Sequence, residues 1–226
     1  MTATSTNHEP LYTKPALEFL NSNINSKWKI FEYGGGFSSI YYNKKFSMTY
    51  TVEHNYSWGK VILKNMPSAK IEILSEESKL NSNGAKLYNE FVNNNFNLPI
   101  KDDRDYGYNE YHGLTNDKFL GYASEICRFR KGYFDVIIVD GMSRSLCLFY
   151  ACYMIKDTGY IILNNSDRYQ FNALQNYIIG NGFNRKDFWQ PDHPCWCTSF
   201  FSKLFNKEES NNEPRLENTG DLYHFN

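Results

Sequence analysis

A glycine-rich turn that directly follows a short apolar run carries the residues best suited to chemistry in this chain. Residues 28–33 have the length of a strand, the glycines at 34–36 let the backbone turn sharply toward a ligand, and a helix can begin after them. A second apolar run ends at Glu53, about twenty residues downstream, where a carboxylate can accept two hydrogen bonds from a ribose diol. This spacing predicts a nucleoside site, and the alternative is a plain turn in an α/β protein.

The glycine pattern separates the classes of nucleoside cofactor. A dinucleotide fingerprint, G-x-G-x-x-G, would need a third glycine where this chain has Ser39, which disfavours an NAD-dependent oxidoreductase. The pattern Glu32-x-Gly34-x-Gly36 instead resembles motif I of the class I S-adenosylmethionine-dependent methyltransferases. An acid at this position suits a cationic ligand and would repel a pyrophosphate.

The resemblance implies S-adenosylmethionine as the cofactor and assigns roles to individual residues. Gly34 and Gly36 would make room for it, Glu32 would hold its amino acid portion, Glu53 would take the ribose hydroxyls, and His54 would lie beside the adenine. The complete set of predicted cofactor residues is Glu32, Gly34, Gly36, Ser38, Glu53, His54 and Asp140.

Methyl transfer to a hydroxyl requires alignment of the acceptor and removal of its proton. The candidate catalytic residues are Asp140, which ends the most apolar strand, Asp167 and His112. The alternative role for Asp140 is to cap the following helix. The alternative for His112 is that it is simply exposed in a tyrosine-rich loop.

The segments 139–144 and 164–168 are similar to catechol-type and macrolide-sugar O-methyltransferases, in which acids after the fourth and fifth strands bind a divalent ion. This chain departs from that pattern because Asn164-Asn165 replaces the expected acids, so we predict no metal ion, with a divalent metal as the disfavoured alternative. The predicted acceptor is a hydroxyl of a glycan or another small molecule, bound by aromatic faces and basic side chains. The predicted substrate residues are Tyr108, Tyr111, Arg144 and Arg168.

Composition narrows the range of partners. The 226 residues are 41% hydrophobic, which suffices for one core, and the net charge of -1 comes from scattered charges that offer no footprint for nucleic acid. No apolar segment reaches the roughly eighteen residues of a membrane span, and residues 1–10 do not resemble a signal sequence. Five cysteines without a C-x-x-C pair favour reduced thiols in the cytoplasm. A homodimer is left open.

Periodicity predicts an α/β fold with a doubly wound, mostly parallel seven-stranded sheet, helices on both faces and a C-terminal antiparallel edge hairpin. The expected strands are 29–33, 48–53, 70–74, 134–140, 160–163, 183–189 and 198–205, and the expected helices are 10–25, 38–43, 56–64, 118–130, 145–155 and 167–179. We expect a helical extension at 1–27, the cofactor domain at 28–205 and a poorly ordered tail at 206–226. Residues 75–117 are interpreted as a substrate lid or, equally, as a solvated insertion.

Two other functions remain open at this level. An aminopropyltransferase of the spermidine synthase type has a similar fourth strand, but the acidic loop that binds its polyamine is replaced here by Phe37-Ser38. A non-catalytic methyltransferase-like module is the other alternative, because Asn164-Asn165 lacks acids.

Overall fold

The computed structural model describes residues 9–75, 78–94 and 119–209, which form a seven-stranded sheet with helices on both faces. The strands are β1 (Lys29–Tyr33), β2 (Met48–Glu53), β3 (Lys70–Ile73), β4 (Val136–Val139), β5 (Tyr160–Asn164), β6 (Asn184–Gln190) and β7 (His193–Ser202). The helices are α1 (Lys14–Asn23), α2 (Phe37–Lys45), α3 (Tyr56–Asn65), α4 (Ser82–Asn94), α5 (Leu120–Ser124), α6 (Arg144–Met154) and α7 (Asn172–Gly180). Within these residues no helix is both long and apolar enough to cross a bilayer.

The strand order is β3-β2-β1-β4-β5-β7-β6, and the predicted fold class is confirmed. Strands β1 to β5 pair in parallel, with β1 between β2 and β4. Only residues 191–192 separate β6 from β7, which is too short for a crossover, so the two strands form an antiparallel hairpin. The expected start of the last strand was wrong, because pairing of Gln190 with His193 extends β7 toward the turn.

Alternation along the strands divides the core into two layers. Phe31 and Tyr33 of β1 face the larger cluster, which also contains residues of α5 and α6. Ile30 faces the smaller cluster, together with Ala16 and Leu20 of α1, so the N-terminal helix packs beside the sheet as expected. Glu32 has the same parity as Ile30 and therefore lies on the face of the smaller cluster.

The region between β3 and β4 differs most from expectation. Helix α4 lies within the segment interpreted as a lid or insertion, and its Phe91 packs against Phe149 with ring centroids 4.3 Å apart. The single helix expected at 118–130 is split into α5 and a 3-10 turn, Glu125–Arg128. Most of the expected lid, residues 95–117, and the tail from 210 onward lie outside the described residues. The domain boundaries therefore stay predictions.

The loops after β1 and β4 meet backbone to backbone at Gly34 and Gly141. Gly34 has a φ of +88°, and a Cβ placed on it would lie 2.4 Å from the Cα of Gly141. A Cβ on Gly141 would likewise lie 2.1 Å from Oη of Tyr122. Since real atoms do not approach so closely, glycine at both positions is what allows the two loops to touch.

We expect Gly34→Ala to lower the free energy of unfolding by more than about 2 kcal/mol, because it adds left-handed backbone strain to a clash with backbone atoms. Gly180→Ala is the matched control, since a Cβ there meets nothing within 4 Å and its φ is not positive. Urea denaturation of both variants measures the difference. A Gly34→Ala variant as stable as the control would show that the loops are not held in contact.

Candidate functional site

Glu53 and the glycine loop meet at the carboxyl edge of the sheet. The Gly35 amide donates to Glu53 Oε2 at 2.9 Å, and the Asn55 amide donates to Oε1 at 2.7 Å. The Trp58 indole N–H donates to the Gly35 carbonyl at 2.8 Å and so fixes the loop from the other side. Glu53 is 3% exposed, and the two amides fill two of the roughly four acceptor positions of its carboxylate.

His54 borders the same carboxylate. Its Nδ1 lies 3.0 Å from Glu53 Oε1 without the alignment of a hydrogen bond, and a third of the side chain is exposed. The ring stands edge-on to Phe119, with centroids 6.0 Å apart. The structure therefore places Glu53 and His54 together with the glycine loop, while their roles toward a ribose and an adenine stay predictions.

The three glycines differ in what surrounds them. A Cβ on Gly35 would lie 2.9 Å from both Ile62 and Thr51, so this glycine lets the loop pass close to β2 and α3. Gly34 is needed for the contact with Gly141. Gly36 alone of the three has room, because a Cβ there would meet its nearest neighbours, on Ser38 and Trp58, at 3.7 and 3.8 Å. Of the two glycines predicted to make space for a ligand, Gly36 fits that role better.

Glu32 lies beneath the loop rather than on it. Its carboxylate is 1% exposed and accepts hydrogen bonds from the hydroxyls of Ser38 (2.6 Å), Ser39 (2.6 Å) and Thr51 (2.8 Å). Burial raises the pKa of Glu32 from 4.5 to about 7, and these three hydroxyl donors oppose the shift. Glu32 and Ser38 thus bind each other, which favours a supporting role for both, and their direct contact with a cofactor stays a prediction.

Asp140 follows β4 directly, and its amide donates to the Tyr33 carbonyl at 3.0 Å. Its Oδ1 accepts from Asn164 Nδ2 at 3.1 Å and lies 3.0 Å from Arg144 Nη2. Burial raises the pKa of Asp140, although the charge of Arg144, the Asn164 hydrogen bond and the charge of Arg168 oppose the shift. The alternative role as a helix cap is wrong, because α6 begins after Ser143, three residues further on.

Arg144 connects the loops after β4 and β5. Its guanidinium donates to the carbonyls of Gly141 (3.0 Å), Asp140 (2.9 Å) and Asn164 (2.6 Å). It is 8% exposed, so this side chain holds the two loops at a fixed separation. Its predicted role as a substrate ligand stays a prediction, and it would require the guanidinium to give up one of these partners.

The other predicted residues lie farther along the edge or outside the description. Asp167 Oδ1 accepts from the Cys197 amide at 3.0 Å, which ties the loop after β5 to β7. Arg168 is exposed, and its charge acts on Asp140. Tyr108, Tyr111 and His112 lie outside the described residues, so their predicted roles stay predictions.

Asn164 has a role that the sequence alone did not reveal. Its Nδ2 donates to the Leu11 carbonyl (3.0 Å) as well as to Asp140, and its Oδ1 accepts from the Thr198 hydroxyl (3.0 Å). An acid could not make both donations. In the described ranges no group of three or more His, Cys, Asp or Glu side chains could hold a metal ion. The donors around Asp140 Oδ1 fit a hydrogen-bonded carboxylate better than a ligand of Mg²⁺.

Sequence reasoning also missed Tyr12, Tyr42 and Thr13. Tyr42 Oη donates to Tyr12 Oη at 2.6 Å, and the charges of Asp140 and Glu32 both raise the Tyr12 pKa beyond the effect of its burial. The presence of Asn164 where an acid was expected could have indicated that the contacts at this position differ. No local pattern connects Tyr12 with residues more than a hundred positions away.

Neither a protein-family model nor a curated protein matches the chain. Among solved structures it is similar to a methyltransferase-like protein from Silicibacter pomeroyi, with 18% identity, a TM-score of 0.48 and coverage of 87% of this chain and 90% of that one. A TehB-like SAM-dependent methyltransferase from Corynebacterium glutamicum has 10% identity, a TM-score of 0.46 and coverage of 86% and 89%. Spermidine synthase from Thermotoga maritima has 14% identity, a TM-score of 0.42 and coverage of 84% and 61%. Similarities this distant carry no argument about activity.

Glu32 makes stability depend on pH. The pKa of Glu32 is about 7 in the folded state against 4.5 for an ordinary glutamate. Its contribution to the free energy of unfolding is therefore complete below about pH 4.5 and is lost as the pH rises through 7. As the pH rises from 5 to 8, we expect the free energy of unfolding of Glu32→Gln to increase relative to that of the wild type by roughly 2 to 3 kcal/mol. Urea denaturation at both pH values measures this, with Glu18→Gln on the exposed side of α1 as the control. An unchanged difference would mean that Glu32 ionises normally.

The two hydrogen bonds that Asn164 donates can be tested by comparing substitutions of Asn164 and of its neighbour Asn165. Asn164→Asp should lower the free energy of unfolding by about 2 to 4 kcal/mol at pH 8, because it removes both donated hydrogen bonds and places a second carboxylate beside Asp140. Asn165→Asp is the matched control, since Asn165 Oδ1 accepts from Arg144 Nη1 at 3.1 Å and an acid keeps that bond. Equal free energies of unfolding for the two variants would contradict the assignment.

Proposed function

We propose that this protein is an S-adenosylmethionine-dependent methyltransferase that acts in the cytoplasm on a hydroxyl of a glycan or another small molecule. The observation that carries the proposal is the convergence of the glycine loop, Glu53 and Asp140 at one edge of the sheet. Gly35 is hydrogen-bonded to Glu53, and Gly34 touches Gly141, the residue after Asp140. Ligands of open α/β sheets bind outside the carboxyl ends of the strands, where these residues lie.

The charge of the site supports a cationic nucleoside. Glu32 is buried and Asp140 is partly exposed, both carboxyl groups have raised pKa values, and the charge of Asp140 contributes to the shift at Glu32. A sulfonium and an ammonium would relieve this repulsion, whereas a pyrophosphate would add to it. The Glu53 carboxylate is the acceptor proposed for the two ribose hydroxyls, so the residues present fit this cofactor.

Asp140 supports transfer to oxygen. When bound, S-adenosylmethionine would supply a methyl group for transfer to the acceptor oxygen, with the neutral thioether as its leaving group. The acceptor hydroxyl must lose its proton, and Asp140 Oδ2 is the proposed base. A carboxylate whose pKa is raised by burial is a stronger base than an ordinary aspartate, and a quarter of this side chain is exposed to an incoming group.

The aromatic surface beside the loop supports a ring-shaped acceptor. Phe37 and Trp58 form an edge-to-face pair with centroids 5.6 Å apart, and 47% and 37% of these residues are exposed. Trp58 is held in place by its bond to Gly35, so its ring is presented in a fixed orientation. Flat apolar faces of this kind bind sugars and aromatic rings.

Calorimetry with S-adenosylmethionine, S-adenosylhomocysteine and NADH tests the cofactor class. We expect binding of the first two and none of NADH, and a chain that binds none of the three is not this enzyme. Mass spectrometry of reactions with glycans and phenols then tests the activity through the mass of one added methylene. Turnover of decarboxylated S-adenosylmethionine with putrescine, without any methyl transfer, would instead identify an aminopropyltransferase.

Two substitutions separate binding from catalysis. Asp140→Asn should reduce methyl transfer by about 10² to 10⁴-fold through loss of the base, a much larger factor than the loss of affinity for S-adenosylhomocysteine that follows from removing one nearby charge. Glu53→Gln should mainly weaken cofactor binding, because an amide is a poorer acceptor for two hydroxyls. Single-turnover rates and calorimetric affinities measure both effects. Full activity of Asp140→Asn would remove that residue from the catalytic role.

A further inference from the structure

The segment that leads into α1 lies across the carboxyl ends of β5 and β6 and the middle of β7, and we call residues 11–14 the N-terminal strap. Four hydrogen bonds hold it: Asn164 Nδ2 to the Leu11 carbonyl (3.0 Å), the Thr13 amide to Thr198 Oγ1 (3.2 Å), Thr13 Oγ1 to the Phe188 carbonyl (2.9 Å) and the Lys14 amide to Gln190 Oε1 (2.9 Å). These bonds reach β5, β6 and β7. The strap therefore belongs structurally to the edge that carries the candidate site.

The strap brings the Tyr12 side chain against α2 and close enough to Glu32 and Asp140 for their charges to act on its hydroxyl. Tyr12 is 5% exposed, and its hydroxyl accepts the hydrogen bond from Tyr42 on α2, the helix that follows the glycine loop. Burial, with the charges of Asp140 and Glu32, holds the pKa of Tyr12 well above its ordinary value. Tyr12 thus stays protonated at neutral pH and can act toward a ligand as a hydrogen-bond donor.

The neighbouring donors already have acceptors. Ser38 and Ser39 donate to Glu32, Tyr42 donates to Tyr12, and Arg144 binds three carbonyls and Asp140. The contacts of the described residues include no acceptor for the proton of the Tyr12 hydroxyl. A buried hydroxyl proton without an acceptor is unfavourable, so a ligand that accepts it gains affinity.

The amino acid portion of the proposed cofactor needs such a donor. It carries an ammonium, which suits the nearby acids, and a carboxylate, which those acids would repel unless a donor met it. We propose that Tyr12 donates a hydrogen bond to the carboxylate of the amino acid portion of S-adenosylmethionine. This inference rests on the proposed function and assigns the N-terminal strap to the cofactor site.

Two ligands that differ in the amino acid portion test the assignment. S-adenosylhomocysteine carries the carboxylate, whereas 5′-methylthioadenosine has the same nucleoside and thioether without it. We expect Tyr12→Phe to weaken binding of S-adenosylhomocysteine at least about tenfold, as for the loss of a hydrogen bond to a charged group, and to leave 5′-methylthioadenosine within about twofold. Calorimetry measures both affinities.

Tyr41→Phe is the matched control, because the Tyr41 hydroxyl on the same helix as Tyr42 bonds to Asn21 and Lys45, away from the site. It should bind both ligands as the wild type does. Equal weakening of both ligands in Tyr12→Phe, or no weakening of either, would overturn the proposal. If the wild type binds neither ligand, the proposed function itself fails, which is a different result.

A wild-type measurement covers the case in which Tyr12→Phe does not fold. Hydrogen–deuterium exchange of the peptide that contains the N-terminal strap should slow with saturating S-adenosylhomocysteine and should change little with saturating 5′-methylthioadenosine. Equal slowing by both ligands, or by neither, would show that the strap does not respond to the carboxylate and would overturn the assignment.

Discussion

The backbone contact between Gly34 and Gly141 is the constraint on which the rest of the site depends. It holds the loop after β1 against the loop after β4, so that Asp140 and the glycine loop meet at one edge of the sheet. Hydrogen bonding of Gly35 to Glu53 adds the end of β2 to the same place. Three loops that are distant in sequence thereby form one surface, and side chains on any of them can act on a single ligand.

This arrangement concentrates three acids, of which Glu32 and Glu53 are buried and Asp140 is partly exposed. Glu32 is balanced by three hydroxyls, Glu53 by two backbone amides, and Asp140 by Arg144 and Asn164. These partners are neutral apart from Arg144, so the raised pKa values of Glu32 and Asp140 persist. The site is thus built to be stabilised further by a cation, and the proposed function and the proposed role of Tyr12 both follow from this balance of charge and donors.

Much of the fold could be predicted from local sequence patterns, but helix α4 and several contacts of the site could not. The bounds of β1 and β2 agree with expectation because β-branched and aromatic residues dominate both strands, and turn-forming residues follow them at Gly34 and Asn55. Helix α4 was missed because its asparagines favour turns and loops, although Leu87, Tyr88 and Phe91 recur at helical spacing. In the site, Glu53 and Asp140 could be located because each ends a strand, whereas Tyr12 and the two donations of Asn164 depend on contacts between distant segments. Such contacts leave no periodic trace in one sequence.

In the proposed function, one pocket at this edge binds a sulfur-containing adenosine through Glu53. A crystal structure of the protein with S-adenosylhomocysteine tests it most directly. We expect the ribose hydroxyls to lie within hydrogen-bonding distance of the Glu53 carboxylate, and the amino acid portion to lie between the glycine loop and Tyr12. A ligand bound elsewhere, or with its ribose away from Glu53, would contradict it.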